Sequence, residues 1–284
     1  ADLHSSRLVF APGVVQTRGF RFDVGSAGSA TLVAQTVLPA LMLADGTSSI
    51  EVTGGTHNMA APPFDYLTQV YLPQVAKMGP RFSTAIHAWG FYPQGGGHIR
   101  VDITPAKQLR GLELMESGGA PVPRVTALVA NLPSHIGERE CDTIRRKAGW
   151  RQRDCHVQMI DRSPGPGNVV MIQLTYPNVT ELFTGFGKKG VQAEQVAVQA
   201  WRQAKDFMAQ DVPVGEFLAD QLLLPLAIAA SQGQTSRFRT GSISLHSRTH
   251  IDIIQRFLDV DIEMDPSGNQ HNEISIGPAK SGVS

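Results

Sequence analysis

The chain has 284 residues, 25 basic against 25 acidic side chains, a formal net charge of zero, 42% hydrophobic residues and two cysteines. That length holds one large domain or two modest ones, and the composition is that of a globular α/β protein. Neutrality argues against a protein that tracks long stretches of nucleic acid; Cys141 and Cys155, lacking a second pair or a His cluster, argue against a structural zinc site; no apolar run reaches membrane-spanning length.

The first periodic stretch, residues 28–44, reads as an apolar helix containing Gln35-Thr36-Val37-Leu38-Pro39. The loop ahead of it, Gly25-Ser26-Ala27-Gly28-Ser29, lacks the spacing and downstream acid of a dinucleotide fingerprint, although N–H groups at a helix start can hold a phosphate. A polar turn at Asp45-Gly46 leads to a strand ending in Thr53-Gly54, and residues 64–78 read as a second helix. Strands are expected over 84–89 and 98–103. The glycines between them, Gly95-Gly96-Gly97, lack the Lys-Ser/Thr of a phosphate loop and read as a tight hairpin corner.

Pro121-Val122-Pro123 opens a different segment, with strands over 125–131, 155–161, 169–176 and 181–186 and helices over 136–150 and 193–208. Its first helix and the turn after it carry Arg139, Arg145, Arg146, Lys147, Arg151 and Arg153. Glu138, Glu140 and Asp142 partly offset them, as on a solvated face. After residue 213 the earlier pattern returns. A helix over 215–230 contains Gln221-Leu222-Leu223-Leu224-Pro225, a turn at Gln232-Gly233 precedes a strand ending in Thr240-Gly241, and a helix over 249–258 is followed by strands over 260–263 and 273–276.

Gln-x-x-Leu-Pro thus recurs in register within two units that read β-α-β-α-β-β. The expected fold is α/β in the α+β sense: a large domain of two repeats over 1–120 and 209–284, with a small inserted α/β domain over 121–208. Pro39 and Pro225 lie well inside their helices, where a kink is expected.

Four side chains stand out chemically. His246 lies just ahead of the 249–258 helix, where the positive end of the dipole disfavours imidazolium and keeps a nucleophile neutral. A satisfied histidine in a strand-to-helix turn fits that segment equally well. His250 is one helical turn later and, without a third ligand nearby in sequence, reads as a supporting or surface residue. Asp220 interrupts an apolar helix and must find a partner there, either phosphate or metal chemistry or a neighbouring backbone N–H. His57 reads either as a phosphate contact or as a turn residue bonding backbone.

His246-x-x-Thr249, the aliphatic run after it and Arg256-Phe257-Leu258 resemble the nucleophile motif of the bacterial-type RNA 3′-terminal phosphate cyclases. Three further segments match in order: Gly54-Gly55-Thr56-His57-Asn58 with Ala61-Pro62-Pro63, then Gly90-Phe91-Tyr92-Pro93-Gln94-Gly95-Gly96-Gly97, then Gly215-Glu216-Phe217-Leu218-Ala219-Asp220-Gln221. The resemblance runs from Arg7 to Ile274. It implies an ATP-dependent, AMP-forming ligase that uses Mg²⁺ or Mn²⁺ and converts an RNA 3′-terminal phosphate to a 2′,3′-cyclic phosphate. The route it implies is a covalent histidyl-AMP, then an adenylated RNA end. Carried onto this sequence, His246 is the nucleophile and Asp220 faces it near the phosphates or a divalent metal. Phe217, Leu218, Ala219, Asp220 and Gln221 line the nucleotide pocket, Phe217 stacks adenine against Pro62, and Gln35 contacts the nucleotide.

The family's opening Gly-Glu-Gly-Gly-Gly-Gln and its arginine-bearing helix have no match here. The resemblance therefore implies a further N-terminal segment of several dozen residues, with phosphate- and metal-contacting side chains. The alternative expectation is a catalytically incomplete or non-catalytic relative that binds RNA or assists ribosome assembly. The expected compartment is the cytoplasm, with both thiols reduced.

Overall fold

The computed structural model describes residues 5–7, 9–266 and 271–280. The first repeat begins with β1 (Gly19–Asp23), α1 (Ala30–Leu41) and β2 (Ser48–Gly54). The Ser29 hydroxyl caps α1 by accepting the Leu32 N–H at 3.1 Å. A continuous helical stretch follows: α2 (Phe64–Tyr66), a π turn (Leu67–Tyr71) and α3 (Leu72–Lys77). The hairpin β3 (Arg81–Ala88) and β4 (Gly97–Thr104) closes the unit. The sheet order is β1-β2-β4-β3, with β1 parallel to β2 and the other pairs antiparallel. Ile50, Val52, Ile99 and Val101 alternate inward under the helices, as a half-buried sheet requires.

Next comes β5 (Glu113–Leu114), a strand too short to leave any periodic signal. The insert follows it: β6 (Val122–Ala130), α4 (His135–Ala148), β7 (Cys155–Ile160), β8 (Gly167–Thr175), β9 (Thr180–Phe186) and α5 (Ala193–Gln210). Its sheet runs β7-β6-β8-β9, with α4 crossing between the parallel pair β6 and β7. The chain then completes the second repeat with α6 (Glu216–Ser231), β10 (Ser236–Thr240), α7 (Leu245–Phe257), β11 (Val260–Pro266) and β12 (Asn272–Pro278). This sheet runs β11-β12-β10-β5, with β5 parallel to β10. Read from its first strand, each repeat has the same spatial order: first, second, fourth, third. The insert departs between β5 and α6, where the first repeat has only a loop.

The two faces of the insert sheet differ. Val125, Ala127, Val170, Ile172 and Leu174 pack under α4 and α5 in a core of their own. Leu128, Ala130, Val169 and Met171 point the other way and join the core of the repeats. Arg139 of α4 bonds Glu194 of α5 at 2.7 Å. Glu140, expected on a solvated face, is instead fully buried, with Oε2 accepting from Asn168 Nδ2 at 3.0 Å.

The repeated helices run through Pro39 and Pro225 within bounds close to those expected. Two helices depart from expectation. The 64–78 helix contains the π turn, which packs against α6 and β9. α7 starts at Leu245, four residues ahead of the expected Thr249, because the Ser244 hydroxyl accepts the Ser247 N–H at 3.0 Å and caps it there. His246 therefore lies inside the first helical turn, not ahead of the helix.

Candidate active site

α6 is apolar on nearly every side, with Leu218, Leu222, Leu223 and Leu226 buried. Asp220, the second carboxylate on this helix after Glu216, stays largely covered, its side chain 20% exposed. Its partners come from α7. His246 Nδ1 is 3.0 Å and His250 Nδ1 3.3 Å from the same atom, Asp220 Oδ1. The i, i+4 spacing puts both rings on one face of α7, their centroids 6.4 Å apart in an edge-on arrangement. An ionised carboxylate only accepts, so each Nδ1 carries the hydrogen. In the neutral ring of His246 the lone pair is then on Nε2, on a side chain that is 81% exposed. Burial acts to raise the Asp220 carboxyl, but the hydrogen bonds and charge of His250 and His246 outweigh it and hold the group below the usual carboxylate range.

The neighbours of Asp220 divide by exposure. Phe217, in the first turn of α6, is 63% exposed. Leu218 and Ala219 are buried and point into the core, so only their backbone can meet a ligand. Gln221 buries Oε1 with no protein partner, and Gln35 on α1 does the same with Nε2. Pro62 is tied to α1 by Thr31, which sits one turn before Gln35 and donates its hydroxyl to the Pro62 carbonyl at 2.6 Å. The structure thus joins Asp220, His246 and His250 directly. It holds Gln35 and Pro62 on the first repeat and the Phe217–Gln221 run on the second.

The His57 ring bonds two side chains and not backbone. His57 is 1% exposed, with Nδ1 2.8 Å from Thr56 Oγ1, Nε2 2.9 Å from Asp65 Oδ2, and its ring stacked on Phe91. The other oxygen of Asp65 accepts from Gln69 Nε2 at 3.1 Å. The glycines around this trio serve close approach. Thr56 N–H donates to Gly90 O at 2.9 Å, and a Cβ on Gly90 would run into Gly54 O and Gly97 N. The second and third motif segments are therefore one packing junction.

One buried group ties the insert to the second repeat, and a buried phenol of the first repeat lies near it. Glu181 of β9 accepts the Gly215 N–H at 2.7 Å, at the N-terminal end of α6. Burial pushes its carboxyl up to about 8, against the lowering effect of that bond. The Tyr66 phenol is buried with no partner; burial raises it well above its ordinary value, and the charges of Glu181 and Asp220 add to the rise. Tyr66 thus sits in the field of both carboxyls.

Among the described residues, no three His, Cys, Asp or Glu side chains are grouped to hold a metal ion, and no helix is long and apolar enough to cross a membrane. A family model described as RNA 3′-terminal phosphate cyclase matches residues 1–264. The RNA 3′-terminal phosphate cyclase of Koribacter versatilis (strain Ellin345) is 44% identical over 269 residues, which are 95% of this chain and 75% of that relative.

Proposed function

The chain belongs to the RNA 3′-terminal phosphate cyclase family, and from that premise we propose that it converts an RNA 3′-terminal phosphate to a 2′,3′-cyclic phosphate with ATP, through a covalent adenylate on His246. The observation that carries the reading is the Asp220 carboxylate on His246 Nδ1, which orients the ring and leaves Nε2 as the attacking nitrogen.

Nε2 attacks the α-phosphorus of ATP as the bond to the bridging oxygen breaks, and pyrophosphate leaves. Asp220 stabilises the cationic ring that results. An oxygen of the RNA 3′-phosphate then attacks the adenylate, the P–N bond breaks, and the ring returns to its neutral form. The vicinal 2′-OH attacks the activated 3′-phosphorus, loses its proton, and AMP leaves.

The exposed Phe217 ring gives adenine a face to stack on, with Pro62 as the proposed opposite wall. The unpartnered amide atoms of Gln35 and Gln221 supply one donor and one acceptor for the nucleotide. The protein donor set fits Mg²⁺ or Mn²⁺ only as a partner of phosphates: Asp220 Oδ2 is the oxygen not already bonded to a histidine. When bound there, the ion neutralises phosphate charge. The proposed compartment is the cytoplasm.

Incubation with α-labelled ATP and Mg²⁺ or Mn²⁺, followed by acid and base treatment, tests the reading. An acid-labile, base-stable adduct absent from His246→Ala is the expected result. Label retained in His246→Ala overturns the nucleophile assignment, and no label on the folded parent chain overturns the adenylation reading in favour of a binding role.

A further inference from the structure

Among the described residues two acidic side chains are buried, Glu140 and Glu181, and they differ in reach. Glu140 bonds within the insert, to Asn168 of β8. Glu181 is paired with Leu174 across β9 and β8, on the sheet face that α4 and α5 cover. From there its Oε1 accepts the Gly215 N–H at 2.7 Å, outside the insert. The approach is tight. A Cβ on Gly215 would stand 3.1 Å from the Glu181 carboxyl carbon and from both its oxygens, so glycine is what lets the carboxyl close over the chain.

Gly215 is the N-cap of α6 and has no side chain to cap with. Its carbonyl accepts the Ala219 N–H at 2.9 Å, which makes its peptide part of the helix start. One residue earlier, Val214 is bridged to Thr240 of β10, with its N–H on Arg239 O at 3.3 Å. β10 thus holds the entry to α6 on one side and Glu181 holds it on the other. Of these ties, that of Glu181 is the one made by a side chain.

Phe217 follows two residues after Gly215 and is 63% exposed, so packing does little to place its ring. The ring takes its position from the first helical turn. Asp220 differs, because His246 and His250 hold it from α7 as well. A hydrogen bond is directional and fixes where a peptide lies, whereas an apolar contact of similar size does not.

We propose that Glu181 is a positioning residue for nucleotide binding: through the Gly215 N–H it fixes the first turn of α6, and with it the Phe217 ring. The insert thereby sets ATP affinity from a residue that does not touch ATP. The inference rests on the nucleotide site proposed above. Its signature is a changed ATP affinity with little change in maximal rate, since stacking acts equally on ground and transition states.

The test measures ATP binding by equilibrium dialysis and follows ATP labelling of the protein separately. Glu181→Leu fills the space without an acceptor and is expected to raise the dissociation constant about fivefold, the size of a weakened base stack. Its maximal labelling rate is expected to stay within about twofold of the parent. Glu181→Gln keeps an oxygen for the Gly215 N–H and is expected to bind ATP within about twofold of the parent. Added to Phe217→Ala, Glu181→Leu is expected to cause no further loss, because both act through one ring. Gly215→Ala presses on the carboxyl from the other side and is expected to weaken ATP binding too, which gives the same reading should Glu181→Leu fold poorly. ATP binding unchanged in Glu181→Leu and Gly215→Ala, equal losses in Glu181→Gln and Glu181→Leu, or additive losses with Phe217→Ala each overturns the proposal. A parent chain that binds ATP without becoming labelled counts against the covalent adenylate alone, because the binding comparison needs no labelling.

Discussion

Asp220 Oδ1 receives Nδ1 of both His246, at 3.0 Å, and His250, at 3.3 Å. One oxygen orienting two imidazoles has unequal consequences for them. Asp220→Asn keeps an oxygen able to accept from His246 but removes the charge that offsets the cationic ring. ATP labelling in a single turnover is expected to fall on the order of a hundredfold. His250→Gln leaves the His246 bond in place and is expected to cost less than tenfold. Equal losses in the two variants would show that the pair acts as one unit and that His250 is more than a support.

Phe217 has little to do with the fold, since the residue is 63% exposed. Phe217→Ala is therefore expected to leave the thermal midpoint unchanged while raising the ATP concentration needed for half-maximal labelling. Base-on-aromatic stacking contributes about 1–3 kcal/mol, which corresponds to a rise of roughly fivefold or more. The maximal rate should change less, because stacking is equal in ground and transition states. An unchanged ATP requirement would remove Phe217 from the nucleotide site.

The parts of this arrangement that were legible in sequence are those carried by short, regular spacings. Gln35–Pro39 and Gln221–Pro225 announce the repeat because both fall at the same place in similar apolar helices. The His246–His250 relation is an i, i+4 pair on one amphipathic helix. What was not legible depends on contacts between segments. β5 has two residues and no period, so the strand that shows where the insert enters the second repeat was missed. His57 and Asp65 meet across a turn that no periodicity predicts, and Glu181 bonds Gly215 over 34 residues of sequence. Glu140 lies in a charged run that reads as solvated, and only its inward position on α4 reveals its burial.

His57 is expected to matter for stability. His57→Ala would leave Thr56 Oγ1 and Asp65 Oδ2 without their ring partners and open a space beside Phe91. A cavity plus lost buried hydrogen bonds costs on the order of 3 kcal/mol, or roughly 5–10 °C in midpoint for a chain of this size. Thermal denaturation followed by circular dichroism checks it, and a midpoint within a degree or two of the parent would mean that the trio contributes little to the fold.

The two buried carboxyls give stability a pH dependence of defined sign. Burial raises Glu140 from 4.5 to about 7, with its bond from Asn168 opposing, and raises Glu181 from 4.5 to about 8, with its bond from Gly215 opposing. Each carboxyl is thus favoured in its neutral form by the fold. The associated stability is complete below pH 4.5 and declines as pH rises, levelling above about 7 for Glu140 and above about 8 for Glu181. Gln has the same shape, still accepts a hydrogen bond and cannot ionise. Glu181→Gln is therefore expected to be more stable than the parent at pH 8.5 by a few kcal/mol, at about 1.4 kcal/mol for each unit of pKa, with the gain shrinking toward pH 5. Glu140→Gln should behave alike, with its gain already at full size near pH 7.5. Urea denaturation of both variants and the parent across that range provides the measurement. A gain that is flat with pH would mean that neither carboxyl titrates within the folded protein, and a loss at high pH would mean that each is held there as the anion.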